Sequence, residues 1–147
     1  MSDYSLTPEL NDEDIKQRLN ALLSTELKEP RKEVLKNILG LIDLTTLEGS
    51  DTDQKVIDMC NKAKGYRDMG LGLPNTAAVC VYPTLIRAAR KTLVGTDIHI
   101  ASVAGAFPAG QSPIHVKMAE VEFAVDEGAD EIDIVISRGK YLEGEYN

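Results

Sequence analysis

Two aspartates inside apolar, strand-like runs are the residues of this chain best suited to chemistry. The segment Gly128-Ala129-Asp130-Glu131-Ile132-Asp133-Ile134-Val135-Ile136 is dense in Ile and Val and follows a helix-ending glycine. It reads as a strand covered on both faces, with Asp133 inside it. An unpaired buried carboxylate is costly, so Asp133 is expected to face a cation, a set of strong donors, or to carry a proton. Ile42-Asp43-Leu44-Thr45 repeats the design. Strands send alternate side chains to opposite faces. Asp133, Val135 and Ser137 therefore share one face, opposite Ile132, Ile134 and Ile136, and Asp43 and Thr45 share a face opposite Ile42 and Leu44. With the isoleucines turned to a helix layer, both aspartates turn the other way and border one pocket. Asp43, next to Thr45-Thr46, reads equally well as a turn residue.

Carboxylates in such a setting suit a metal or a lysine. The metal reading is the weaker one: His99 and His115 lack ligand spacing, and there is no His-x-x-x-His or Cys-x-x-Cys. His99 opens a strand and His115 sits in a helix, both read as structural or exposed. A lysine is chemically richer. A desolvated lysine near another cation can attack a carbonyl and form a Schiff base, with a carboxylate relaying protons. None of the four predicted strands carries a lysine, so the amine is expected from elsewhere.

The elements that must position these residues alternate. Asn11 before Asp12-Glu13-Asp14 is N-cap chemistry, followed by a helical stripe of Ile15, Leu19, Leu22 and Leu23 that Pro30 is expected to end. Val34, Leu35 and Ile38 form a second short stripe. This arm is expected to cap a larger body. Beyond it, the first strand is predicted over Leu39 to Leu44. Asp51 is read as the cap of a helix with Val56, Ile57, Cys60 and Ala63 inward, stopped by Gly65. A second strand follows over Ala77 to Tyr82, then a helix with Leu85, Ile86, Ala89 and Leu93 inward. A third strand, Ile98 to Val103, runs into Gly105-Ala106-Phe107-Pro108-Ala109-Gly110. Ser112-Pro113 reads as a cap with proline at the first helical position, and Val116, Ala119, Phe123 and Ala124 as the inward stripe up to Gly128. The fourth strand is predicted over Glu131 to Ile136. Repeated strand–helix order argues for an α/β fold with parallel strands. A doubly wound sheet and a (β/α)8 barrel compete. No Gly-x-Gly-x-x-Gly follows the first strand and no Walker A pattern exists. Polar residues in three strands, Asp43, Cys80 and Asp133, favour the barrel, whose interior gathers such groups about one axis. A barrel takes about 250 residues, so four strands make half of one, with two open edges.

Composition fits this reading. The chain has 147 residues, 43% of them hydrophobic, enough for a core. Twenty-four acidic against 16 basic residues give a net charge of −8, and no basic patch is visible, which argues against nucleic-acid binding. Two cysteines suggest no disulfide framework; Cys60 and Cys80 are expected to be buried small hydrophobes in a reducing cytosol. No signal peptide and no membrane span are visible, so a cytoplasmic protein is expected.

Four segments then carry a resemblance. They are Ile42-Asp43-Leu44-Thr45-Thr46-Leu47, Asn75-Thr76-Ala77-Ala78-Val79-Cys80-Val81-Tyr82-Pro83, Gly105-Ala106-Phe107-Pro108-Ala109-Gly110-Gln111 and the Gly128–Ile136 run. In this order, over roughly residues 38–147, the chain resembles the N-terminal half of the deoxyribose-phosphate aldolase family. The Ala104-Gly105-Ala106 wording departs from the commoner one. The resemblance implies a TIM (β/α)8 barrel, here an N-terminal part with four parallel strands (38–147) behind an N-terminal helical extension (1–37). It implies a class I aldolase, a lyase of deoxyribose phosphate catabolism, that reversibly cleaves 2-deoxy-D-ribose 5-phosphate to D-glyceraldehyde 3-phosphate and acetaldehyde through a lysine Schiff base. Asp133 matches the proton-relaying aspartate; Asp43, Thr45 and Cys80 match positions at the substrate pocket. No metal and no cofactor beyond the enzyme's own lysine are implied. The implied partners are a small sugar phosphate and an aldehyde, with neither nucleic acid nor membrane. The family's two lysines and phosphate-holding loops would fall beyond residue 147. The chain is therefore expected to be a truncated product, partial gene or proteolysed remnant, inactive alone, and completed by a C-terminal half or by homo-oligomers. The competing reading is a non-catalytic half-barrel that self-associates or joins a partner chain. A doubly wound binding module is a third, disfavoured by the missing phosphate fingerprints.

Overall fold

The computed structural model describes residues 10–26 and 28–145. Two helices come first, α1 (Asp12–Leu23) and α2 (Arg31–Leu39), followed by β1 (Asp43–Thr45), α3 (Asp53–Gly65), β2 (Ala78–Val81), α4 (Ile86–Leu93), β3 (His99–Ala104), α5 (Ile114–Glu127), β4 (Glu131–Ile134) and the short α6 (Arg138–Leu142). The strands form one sheet in the order β1-β2-β3-β4, every neighbouring pair parallel. Sequential strands side by side, joined through helices, are the pattern of a barrel sector rather than of a sheet whose strand order reverses.

The pleat divides the core in two. Val79, Val81 and Ile100 turn to the helix layer and pack with Val56, Cys60 and Ala63 of α3, Ile86, Ala89 and Leu93 of α4, and Ala124 of α5. Ala78, Cys80, Ala101 and Val103 turn to the opposite, concave side, where Leu47, Tyr82 and Phe107 lean on them. The inward stripes expected for α3 and α4 are the ones observed, and both cysteines are free and buried.

Several local expectations are corrected. The run from Leu39 is not strand: α2 continues to Leu39, and the Gly40 amide bonds back to the Lys36 carbonyl as a helix cap. A glycine there weakens a strand and suits a helix end. Pro30 does not close α1, which stops at Leu23; it precedes α2 and accepts the Val34 amide. Asn11 does cap α1, accepting the Asp14 amide at 2.9 Å. Thr52, not Asp51, caps α3, because its hydroxyl reaches the Lys55 amide; Asp51 instead accepts the Thr46 hydroxyl and the Glu48 amide. Helix α5 begins at Ile114 with no side-chain cap, the Pro113 carbonyl accepting the Val116 and Lys117 amides. No residue of α1 is buried, whereas Val34 and Leu39 of α2 are half-buried.

The largest correction is the face of α5. Val116, Ala119 and Phe123 are exposed, while Lys117 and Ala124 are buried and Glu120 and Val121 partly so. The helix is turned by about one residue from the stripe that apolarity alone selects. The reason lies in the loop between β3 and α5. Its Ala106 amide donates to Glu120 Oε2 at 2.7 Å, and the loop lies directly against the chain leaving β4. At Gly110, φ is +69°, and a Cβ would fall inside the van der Waals envelope of the Ile136 carbonyl oxygen. Ala106 also holds a left-handed φ of +61°, which costs an L residue about 1–2 kcal/mol.

These two positions predict opposite effects. Gly110→Ala meets both the left-handed penalty and the Ile136 backbone, and should lower unfolding free energy by at least ~1–2 kcal/mol. Ala106→Gly relieves strain but loosens the unfolded chain, and should be neutral to stabilising by up to ~1 kcal/mol. Urea titrations of both variants test the pair; equal and same-signed shifts would refute the loop geometry.

Candidate active site

Strand register builds the site. Thr45 pairs with Cys80, Cys80 with Ala101 and Ala101 with Glu131, so one row crosses all four strands. One step toward the strand starts, Asp43, Ala78 and His99 form a second row. One step toward the strand ends, Val103 pairs with Asp133. Odd and even positions of each strand face opposite ways, so these rows share the concave face. Asp43, Thr45, Cys80, Glu131 and Asp133 line one concavity of about 170 Å³, with Leu47, Ala101 and Ile132 completing it.

Exposure does not match expectation. Asp133 and Asp43 are exposed. The sheet is open and β4 is an edge, and Leu47, Tyr82 and Phe107 cover only the apolar centre of this face. The premise that burial compels a cation opposite Asp133 is therefore wrong for this structure. Only Ile132 of β4 packs on the helix-side core; Ile134 is 63% exposed, so β4 is not covered on both faces. The two aspartates still face one cavity, as the strand alternation requires.

Electrostatics tie the cavity together. Cys80 is 5% exposed. Burial pushes its thiol above the ordinary range, and the charges of Asp133 and then Asp43 push it further, against a hydrogen bond with Thr45. Cys80 thus stays a protonated thiol near neutrality. Cys60, on the helix side, is pushed up to about 11 by burial. Thr45 Oγ1 donates to the Asp43 carbonyl at 2.9 Å, which fixes the hydroxyl at the end of β1.

Of two further residues on this face, Glu131 was passed over in reading the sequence and His99 was read only as structural or exposed. Glu131 lies two positions before Asp133, and His99 two before Ala101, so alternation alone places both on the concave side. His99 Nδ1 lies 2.6 Å from Glu131 Oε1, and that carboxylate pushes the imidazole above its ordinary value. His99 is therefore the described cation-forming group of an otherwise acidic face. His115 is exposed on α5. Among the described residues no group of three or more His, Cys, Asp or Glu is placed to hold a metal ion. No lysine lines the concavity. No described helix is long and apolar enough to cross a membrane.

Larger grooves exist, but they gather less reactive chemistry. One of about 570 Å³ lies beside Lys64, Arg67, Asn75 and Asp97. There Arg67, and to a lesser degree Asn75, hold Asp97 below the usual carboxylate range. Another, of about 610 Å³, runs along the outer side of β4.

The shared field of Asp133 and Cys80 is testable. Asp133→Asn removes a charge that raises the thiol's pKa, so Cys80 should alkylate faster with iodoacetamide at pH 8, with Cys60 as the silent internal control. An unchanged rate would separate the two residues.

Comparison with known proteins converges on one family. Residues 38–146 match the sequence model of the DeoC/LacD family aldolase. The deoxyribose-phosphate aldolase of Homo sapiens is 40% identical over 135 residues, covering 83% of this chain and 42% of that protein. Among solved structures, a Coccidioides immitis protein assigned as a deoxyribose-phosphate aldolase superposes with a TM-score of 0.68 at 28% identity, over 93% of this chain and 53% of its own. The deoxyribose phosphate aldolase of Aeropyrum pernix, described as a tetramer, gives a TM-score of 0.61 at 23% identity, over 88% and 48%; this shows the fold. The chain spans about half the length of these relatives. Its four parallel strands are a sector of their (β/α)8 barrel, and with the family model covering most of its length, the chain belongs to the DeoC/LacD family of aldolases.

Proposed function

We propose that this chain supplies the Asp133 side of a deoxyribose-phosphate aldolase site. The proposed reaction is reversible cleavage of 2-deoxy-D-ribose 5-phosphate to D-glyceraldehyde 3-phosphate and acetaldehyde. The observation that carries this reading is the meeting of Asp43, Thr45, Cys80 and Asp133 at one concavity in a chain of this family.

In this reading a lysine amine adds to the substrate carbonyl and water leaves, giving an imine. Carbon–carbon cleavage then releases D-glyceraldehyde 3-phosphate and leaves an enamine, which is protonated and hydrolysed to acetaldehyde. Asp133 moves the protons at the carbinolamine and enamine stages, a contribution of about 10²–10⁴-fold for a positioned acid–base group. Asp43 and Thr45 border the substrate, and Cys80 shapes the wall as a neutral thiol. The described cavity lining holds no amine, so the lysine is assigned to a segment or chain other than these 147 residues. The division into an extension (1–37) and a barrel part (38–147), a cytoplasmic location and a place in deoxyribose phosphate breakdown belong to the same proposal.

A second reading, a half-barrel that associates without catalysis, draws on the unpaired outer edges of β1 and β4 and on the exposed Ile134 and Ile136. Charge weighs against face-to-face pairing of two copies. It would set a second Asp43, Glu131 and Asp133 against the first, and like charges facing one another are unfavourable.

Borohydride trapping tests the proposal. The 147-residue chain alone should give no reducible adduct with acetaldehyde and no cleavage of 2-deoxy-D-ribose 5-phosphate. A stoichiometric adduct on one of its own lysines, with turnover, would refute the assignment of the amine elsewhere. In an active assembly, Asp133→Asn should reduce turnover about 10²–10⁴-fold. Turnover left intact would remove Asp133 from the chemistry.

A further inference from the structure

A buried lysine that the proposed chemistry does not use lies behind the site. Lys117, on the inward face of α5, is only 8% exposed. Its Nζ donates to Ser137 Oγ at 2.7 Å, just past the end of the strand that carries Asp133. One turn along the same face, Glu120 accepts the Ala106 amide at 2.7 Å. The two side chains of α5 thus grip two different loops, the one leaving β3 and the one leaving β4. Those loops touch each other: Gly105 lies against Ile134 and Val135, and Gly110 against the Ile136 carbonyl.

Burying an ammonium is costly unless its hydrogen bonds are made. An apolar residue at position 117 would pack a helix as well or better. The arrangement is therefore expensive for a purely structural contact, and it holds the chain just past the end of β4, a strand with no neighbour on its outer side. We propose that Lys117 and Glu120 are positioning residues that clamp the loops after β3 and β4 together and so fix the concave-side direction of Asp133. The proposal rests on the reading that Asp133 serves the reaction, but the clamp is measurable without turnover.

The test uses the full chain and two readouts. The first is amide hydrogen exchange. In Lys117→Met the Ala106 amide, bonded to a different side chain of α5, should exchange at least tenfold faster. The Val81 and Ile100 amides, in the central strands, should stay within twofold. The second is the pH profile of Cys80 alkylation. Asp133, Asp43 and Glu131 are the charges that raise this thiol. Freeing β4 weakens the Asp133 contribution, so the profile of Lys117→Met should move to lower pH, as for Asp133→Asn, and the double variant should add nothing further. Ser137→Ala, which removes the acceptor and leaves the helix intact, should reproduce both effects at smaller size, and Lys117→Arg should restore both. Exchange rising equally across the central strands, or a Cys80 profile that stays with wild type, would overturn the clamp. Loss of the clamp readouts in a chain whose assemblies never cleave the sugar phosphate would uphold the clamp and refute the aldolase reading instead.

Discussion

The two-residue period of the strand is the constraint on which this structure depends. A parallel strand covered by helices on one side must send every second side chain to them, and the others have no choice of direction. In β2 and β3 that alternation gives two apolar faces, so Val79, Val81 and Ile100 anchor the helices while Ala78, Cys80 and Ala101 pave the concave side. In β1 and β4 the same rule carries Asp43, Thr45, Glu131 and Asp133 onto the paved side. A slip of one residue in either strand would turn its carboxylates into the helix core and its isoleucines or leucine outward. The apolar anchoring of Leu44 and Ile132 thus fixes where the acidic groups point.

The concave face has an electrostatic character of its own. Three carboxylates and a thiol are set beside one imidazole, and the His99–Glu131 pair links β3 to β4 at the edge of the sheet. Both members are more than half or about half exposed, so the pair is worth little as a surface salt bridge. Its consequence is local: Glu131 first, and then Asp130 and Asp43, raise the imidazole above its ordinary value. The thiol of Cys80 is moved in the same direction, by burial first and then by its negative neighbours Asp133 and Asp43.

Helix α5 shows how polar groups can decide a helix's rotation. Apolarity favours Val116 and Phe123 inward, but the helix turns Lys117 and Glu120 in, because two loops offer hydrogen-bonding partners there. The left-handed Ala106 and the glycine contact at Gly110 belong to the same junction. The loops are packed closely enough that their backbone geometry, rather than an apolar stripe, sets the orientation of the helix above them.

Much of this was legible in the residues. The strand–helix order, the inward faces of α3 and α4, the caps at Asn11 and Gly128, and the common direction of Asp43, Thr45, Cys80 and Asp133 follow from local periodicity, because period and capping are properties of neighbouring residues. What failed depended on distant ones. Whether Asp133 is buried depends on what covers β4, whether Thr52 or Asp51 caps α3 depends on the pull of Thr46 and Glu48, and which face of α5 is inward depends on loops up to twenty residues away. Sequence by itself determined which residues alternate, and hence the facing of the acidic groups, while the family resemblance rested on four segments in order. Tertiary structure alone decided their exposure, the pairing of His99 with Glu131 and the burial of Lys117, because each is set by contacts between elements that the chain's local pattern does not encode.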